Sequence, residues 1–283
     1  MDEISELNSG LDALESGTDK NDRNILLRNA FRLYPIISAL VIISIWQLVV
    51  TFSHIPNYKL PTPLQVFDSL HRESSQGALW GAIRTSVTRG AIGFFFAIAI
   101  ATPVGLLLGL DRRFRAVFRP ILVGLQQLPS VAWVPAAVIW FGLSPVTIYA
   151  VIMLGAVPSI ANGLISGIDQ MPPIVTKVAD VMHANQWQKI RYFILPSAWV
   201  GYLAGLEQGW AFAWRSLMAA ELIAVSPSLG IGVGQLLDIG RQLGDMSLVV
   251  GSIIVIMVIG ITIEKIIFSP IRNRAYRNRG LAI

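Results

Sequence analysis

The chain has 283 residues, 54% of them hydrophobic and 14% charged, and a formal net charge of +5. A soluble domain carries about a quarter charged residues, so this composition, with a mean hydropathy of +0.61, describes a membrane protein. The absence of cysteine excludes disulfides, thiol catalysis and thiolate metal sites, and His54, His71 and His183 lie outside the apolar stretches, which argues against an intramembrane histidine metal site or proton relay.

Residues 1–32 are acidic first (Asp2, Glu3, Glu6, Asp12, Glu15) and then basic (Arg23, Arg28, Arg32). Basic residues that follow a long acidic stretch do not make a signal peptide, and the segment reads as a polar cytoplasmic tail. Six stretches of membrane length follow, at about Pro35–Phe52, Gly90–Leu110, Ile121–Phe141, Val146–Ile168, Ala198–Ile223 and Leu248–Phe268. With the N-terminus inside, 16 of the 22 Lys and Arg residues fall in cytoplasmic segments and 5 in outer ones, with Arg215 inside a span. The positive-inside rule therefore predicts both termini in the cytoplasm.

The first outer segment, Ser53–Arg89, contains the rigid Leu60-Pro61-Thr62-Pro63 piece and a helical pattern through Val66, Leu70 and Leu79. Arg84 and Arg89 border the second span, where they either snorkel to lipid phosphate or face an anionic solute. Gly105 and Gly109 form a small-xxx-small pair suited to helix packing. Arg112, Arg113 and Arg115 make a basic turn at the cytoplasmic surface. The third span carries Gln126, Gln127, Pro129, Trp133 and Pro135; two prolines and two amides in one span predict a kinked helix facing protein or a water-filled path. The fourth span is rich in small residues (Gly155, Ala156, Ser159, Ala161, Gly163, Ser166, Gly167), which favour tight interhelical contact.

Between the fourth and fifth spans lies the longest amphipathic insert of the chain, Lys177 to Pro196. Val178, Val181 and Met182 share one helical face, and Trp187, Ile190 and Ile194 share another after a break near His183-Ala184-Asn185. Two short amphipathic helices at a membrane surface either lie on lipid or their own bundle, or dock into a groove of another protein, and the pattern leaves both open. The fifth span holds Glu207, Gln208, Trp210, Trp214, Arg215 and Glu221. Arg215 is read either as a buried ion pair with Glu207 or Glu221, or as a charge lining a path for an anion. Residues 224–247 return outside, with glycine turns and a short amphipathic piece near Leu236–Leu243, and the chain ends on a basic tail.

The insert resembles the coupling segment of ATP-binding-cassette (ABC) importer permeases, written Glu-Ala-Ala, three residues, Gly, about nine residues, Ile-x-Leu-Pro. Ala179 holds the second Ala position and Phe193-Ile194-Leu195-Pro196 the tail; Lys177, Val178 and His183 replace the motif Glu, Ala and Gly. Leu60-Pro61-Thr62-Pro63, the run from Leu128-Pro129 through Trp133 to Trp140-Phe141-Gly142, and Trp214 to Glu221-Leu222 are similar to permeases for sulfonates, taurine and nitrate, the aliphatic-sulfonate members most. The resemblance covers roughly residues 55–280. It implies an all-α fold with six transmembrane helices, type I importer-like, in a permease domain over 33–283 with its coupling segment at about 172–196. It also implies a bacterial plasma-membrane location, a homodimer, two ATPase subunits that hold ATP and Mg, an extracytoplasmic solute-binding protein, and a small oxyanion as solute. Contacts to the ATPase are expected at Lys177, Ala179, Asp180, Met182, His183, Ala184, Trp187, Ile190, Leu195 and Pro196. The translocation path is expected at Gln126, Gln127, Pro129, Trp133, Trp214, Arg215 and Glu221.

No phosphate-loop pattern, Gly-x-Ser-x-Gly elbow or His-Glu-x-x-His pair occurs, so no ATP site, catalytic residue or metal site is expected in this chain. The basic tail is explained by the membrane, without nucleic acid. The rival classes are a stand-alone secondary transporter or channel, which would need intramembrane carboxylates such as Glu207 or Glu221, and a membrane-embedded enzyme, disfavoured by the missing nucleophile and metal sets.

Overall fold

A computed structural model describes residue 34 and residues 37–53, 55–56, 58–224 and 230–277. The expected N-terminal tail, Pro35, His54, the turn at Pro227 and the last basic residue, Arg279, lie outside these. The described residues are helical throughout, joined by turns. The chain divides into two compact units after Gln65.

In the first unit, α1 (Ile37–Phe52) is a short apolar helix whose Leu40, Ile42 and Phe52 are exposed. The Trp46 indole donates to the Pro61 carbonyl at 3.1 Å, which pins the Leu-Pro-x-Pro piece against α1. Helix α2 (Pro63–Ser75), which belongs to the second unit from Val66 on, starts at the second proline of that piece, where the missing N–H costs nothing.

In the second unit, α3 runs from Ala78 to Leu110, 33 residues. At 1.5 Å per residue it is about 50 Å long, well beyond the ~30 Å hydrocarbon core. Arg84 and Arg89, expected to border the span on its outer side, therefore sit inside the helix. Asp111 caps the next helix, α4 (Arg112–Gln127), accepting from the Arg113 and Phe114 amides at 2.7 and 3.3 Å. Arg115 on that first turn donates back to the Leu108 and Gly109 carbonyls at the end of α3, and its other nitrogen meets Asp169 at 2.6 Å. The expected basic turn is thus a helix start that closes the end of its predecessor.

The expected third span is not one kinked helix. Leu128 precedes Pro129 and is extended (ψ 131°), as a residue before proline prefers, so α4 stops there. A short 3-10 turn (Ser130–Ala132) leads into α5 (Trp133–Phe141), and the two pieces are bent by 94°. Gly142, at φ 66°, turns the chain into α6 (Pro145–Asp169), which opens on Pro145. The insert forms α7 (Pro173–Val181) and α8 (Gln186–Gln188), and a π-helical stretch, Lys189–Ile194, continues directly into α9 (Leu195–Ile223). Helix α10 (Val233–Leu243) ends at Gly244 (φ 69°). Helix α11 (Met246–Ile263), capped by Asp245, passes through a second π segment, Glu264–Phe268, into α12 (Ser269–Arg277).

Among the described residues, three helices are long and apolar enough to cross a membrane: α3, α6 and the run Met246–Arg277; α4 and α5 make a fourth if the bent pair is one span. Helix α1 is shorter, and α9, with 29 residues, has the length but a more polar sequence.

The core is the seam between α6 and α9. Gly163 and Gly167 on one helix face Gly201 and Gly205 on the other, each pair four residues apart and therefore on one face. A Cβ added to Gly205 would meet the Gly163 Cα at 2.7 Å, and one added to Gly201 would meet the Gly167 Cα at 2.5 Å. The helices touch backbone to backbone. Along the same seam Ile160 packs onto Gly209, and Ala198 and Ala213 are fully buried. Helix α3 packs against both: Gly90 lies against Trp210 and Leu217 of α9, and Gly93 receives Ile152 of α6, while Gly105 receives Leu164 and Gly109 receives Ile168, the packing expected of that pair. Trp210, Phe94 and Phe268 close an aromatic cluster that ties in the C-terminal run.

Gly205→Ala should lower the detergent-solubilised protein's unfolding midpoint, at a cost of about 1–3 kcal/mol, because the intruding carbon meets backbone that no rotamer change can move. Gly81→Ala on α3, where an added carbon meets open space, should be neutral or stabilise by up to ~1 kcal/mol. Equal midpoints for the two variants in a thermal-shift assay would contradict the seam as the packing centre.

Candidate functional site

Two features stand out against this frame: the compact insert and a polar groove on the face of α4, α6 and α9.

The insert is built rigidly. Asn185 and Gln188 cap each other across the start of α8, side chain to backbone in both directions at 2.8 Å. Lys189 meets the Asp180 carboxylate at 2.5 Å, tying α7 to the π segment. The Ala184 amide donates to the Ala179 carbonyl at 3.0 Å, and Ala179 itself is buried. His183 adopts φ 52°, the one positive φ of a non-glycine among the described residues. This is the position of the motif glycine. The turn from α7 to α8 needs left-handed backbone, which glycine takes freely and His tolerates better than a branched residue.

Helix α7 presents its apolar side outward: Val178, Val181 and Met182 are exposed, Val181 by 78% and Met182 by 67%. Trp187 on α8 is equally bare at 67%. Ile190 and Ile194, expected on the same face as Trp187, turn the other way and pack against the core. The π segment causes the split, because its wider turn breaks the 3.6-residue register between Trp187 and α9. Leu195 is half-buried, while Lys177 and Pro196 are exposed.

The groove has a volume of about 540 Å³. Its wall comes from three helical faces. Arg119, Val123 and Gln126 are spaced i, i+4, i+7 on α4; Ser159, Asn162, Gly163, Ser166 and Gln170 follow the same rule on α6; Val200, Gly201, Ala204, Gly205 and Gln208 complete it on α9. The Gln126 amide donates to the Ser159 hydroxyl at 3.0 Å and accepts from the Asn162 amide at 3.0 Å, which fixes its carboxamide across the α4–α6 gap. The glycines that bring α6 and α9 together also leave the hollow beside them.

Of the residues expected to line a path, Gln126 lies on the groove. Gln127 and Pro129 are exposed at the α4 break, and Trp133 is half-buried on α5. Arg215 is exposed on α9, its guanidinium 4.6 Å from the Phe212 ring centroid and its Nε donating to the Ala211 carbonyl at 3.0 Å. It shares an open stripe with Ala204, Gln208 and Ala211, spaced i, i+4, i+7, i+11. Trp214 and Glu221 are corrections. Trp214 is buried and donates to the Ile256 carbonyl at 3.2 Å. Glu221 is fully buried and pairs with Arg89, not Arg215, at 2.9 Å. Its other oxygen accepts from the Ser86 hydroxyl at 2.7 Å and the Gly234 amide at 3.1 Å, while Ser86 accepts from the Val233 amide. Glu207 likewise pairs with Arg272, at 3.0 Å, and Arg272 also reaches Glu264. Neither carboxylate is the partner of Arg215.

Sequence reasoning passed over Arg119, one of the 16 cations assigned to cytoplasmic segments, and over Asn162, and it noted Gln208 only as a polar residue of the fifth span. The available signal was the seven-residue interval from Arg119 to Gln126, which puts the cation and the amide on one face. Arg89 was missed because its partner lies 132 residues away.

A bundle of apolar helices with a polar groove along α4, α6 and α9 and a compact insert whose apolar side is exposed fits a membrane-embedded permease. The comparisons agree. Residues 93–269 match the family described as binding-protein-dependent transport system inner membrane component. The taurine transport system permease protein of Escherichia coli K12 is 31% identical over 198 residues, 68% of this chain and 72% of that protein. A Bacillus subtilis 168 protein named as a putative aliphatic sulfonates transport permease is 30% identical over 220 residues, 78% of each. The bicarbonate transport system permease protein of Synechococcus elongatus PCC 7942 is 28% identical over 247 residues, 83% of this chain and 86% of that protein. The chain belongs to the binding-protein-dependent transport system inner membrane component family, the ABC importer permeases, and is a multi-pass protein of the plasma membrane.

Two outcomes follow from the buried geometry. Arg89→Ala leaves the Glu221 carboxylate buried without its cation and should cost about 3–5 kcal/mol, read as loss of the folded protein in detergent; Arg84→Ala, exposed five residues earlier, should be near neutral. His183→Gly should keep or raise stability by up to ~1 kcal/mol and His183→Val should lower it, both by thermal unfolding; the reverse order would contradict the left-handed turn.

Proposed function

We propose that this chain is the permease subunit of an ATP-driven importer of small oxyanions, aliphatic sulfonates first, with taurine-, nitrate- or bicarbonate-type anions as the alternatives. The reading has it cross the membrane six times with both termini in the cytoplasm, α1, the α4–α5 pair and α9 completing the three clearly apolar spans. Two copies would enclose one pathway in the lipid bilayer. Two separate ATPase subunits would hold ATP and Mg, and a solute-binding protein would deliver the anion from outside.

The observation that carries this is the bare apolar surface of Val178, Val181, Met182 and Trp187 on an insert locked by its own cap and ion pair. A surface this apolar and this stiff fits a protein groove better than fluid headgroups. Lys177, Asp180, His183 and Ala184 frame it, and Ala179, Ile190, Leu195 and Pro196 join it to the bundle. Closure of the ATPase pair would push on the insert and tilt α4, α6 and α9 between outward- and inward-open arrangements. On the path itself, Gln126 and Arg215 are the foremost residues, with Gln127, Pro129 and Trp133 at the α4–α5 break. The names of the relatives support an oxyanion, and Arg215 on an open stripe supplies a matching charge.

The test is co-purification. A P-loop ATPase should accompany the wild-type chain and be lost, by at least ten-fold, from a Met182→Asp, Trp187→Asp variant that still folds. Retention of the ATPase in that variant would remove the insert as the docking surface. In proteoliposomes, uptake should need ATP inside and binding protein outside; flux driven by a proton or sodium gradient alone would favour a secondary transporter.

A further inference from the structure

We propose that the groove between α4, α6 and α9 is itself an oxyanion-binding station, with Arg119 as its charge. The proposal rests on the importer reading above and adds a site to it. Three properties of the wall carry it. First, Arg119 is the one cation lining the groove, and among the described residues it makes no ion pair, unlike Arg89, Arg115 and Arg272. Second, every other polar side chain on the wall is neutral and can donate: Gln126, Ser159, Asn162, Ser166, Gln170 and Gln208. No carboxylate lines it. Third, the backbone wall is of glycine and alanine, so the space is open to a compact solute and its volume of about 540 Å³ exceeds that of a sulfonate or bicarbonate with its nearest waters.

This chemistry selects an oxyanion. A guanidinium offers a planar fork of N–H donors that matches two oxygens of a sulfonate or carboxylate, and amides and hydroxyls can satisfy the third. A cation would meet Arg119 with no compensating acid. A fully apolar solute would leave the Arg119 guanidinium unanswered. The site is also placed in sequence with a second charge. Gln208 belongs both to the groove and to the stripe that leads to Arg215, seven residues on, about 10 Å along α9. Arg119, two turns into α4 from the Asp111 cap, lies toward the Asp169 end of α6, and Arg215 toward the opposite end of α9. The two arginines thus stand as successive stations on one face. Neutral donors add no second full charge to that of Arg119, which suits a site that must release.

The experiment uses the complex purified with its ATPase subunits and without binding protein, with trifluoromethanesulfonate as a fluorine NMR probe. The wild-type complex should broaden the probe line, and excess ethanesulfonate or bicarbonate should restore it. Arg119→Ala should weaken binding at least ten-fold, Arg119→Lys should keep part of it, and Gln208→Glu, which places an acid on the wall, should abolish it. Arg112→Ala, a cation on the same helix but off the groove, should bind as wild type. Unchanged broadening in Arg119→Ala, or no broadening by the wild-type complex, overturns the station. Failure of the importer reading would look different: no ATPase would co-purify and no ATP-dependent uptake would occur in the wild type, whereas loss of the station alone leaves both intact.

Discussion

The structure depends on one close approach, the backbone contact of α6 with α9 through Gly163, Gly167, Gly201 and Gly205. Lipid tails are as apolar as leucine, so two helices in a membrane gain little from apolar side chains alone and associate best where their backbones can touch. Everything that serves transport is referred to this contact. It places the groove faces of the two helices side by side, and it leaves their far faces free to take α3 and the C-terminal run. The absence of side chains that brings the helices together is also what hollows out the space beside them.

Charge on α9 is sorted by the same geometry. Glu221 is buried with Arg89, Ser86 and the first amides of α10, and Glu207 is held by Arg272. Each acid is thereby neutralised from another element, and each pair fastens a neighbour: α3 and α10 at the C-terminal end of α9, α12 near its middle. A buried pair adds little net stability compared with an apolar replacement, but it fixes which helix meets which. Arg215 remains as the unneutralised charge on the helix, facing the open stripe and stacked on Phe212. The polar character of α9, which sets it apart from the other long helices, is therefore mostly internal fastening, with one cation left on the open stripe.

Much of this was legible in the residues. The small-residue run of the fourth span foretold a tight seam, and the break of the coupling motif at His183 is answered by a backbone turn that the motif glycine explains. Other features were beyond sequence reasoning for definite reasons. Arg89 looked like a span boundary because a charge ends an apolar run, yet its acid is supplied from the far end of another helix. Leu128-Pro129 announced a kink, but whether a proline bends a helix or breaks it depends on the residue before it, and here the extended Leu128 broke it. Ile190 was grouped with Trp187 by a 3.6-residue period that the π segment interrupts. Arg119 was lost in a tally of positive charges, where position on a helix face carries no weight.

The π segment at Lys189–Ile194 has one more consequence. From Gln186 to Ile223 the backbone is an unbroken rod of helical turns, 38 residues by the element bounds. On its other side the insert joins α6 only through the looser Gln170–Pro172 step, where helical pairing stops. Trp187 is thus continuous in backbone with α9, as the handle of a crank is with its shaft, and only loosely joined to α6. Gln208 and Arg215 stand on that same continuous run, so the exposed indole and the open stripe belong to one rigid piece of backbone.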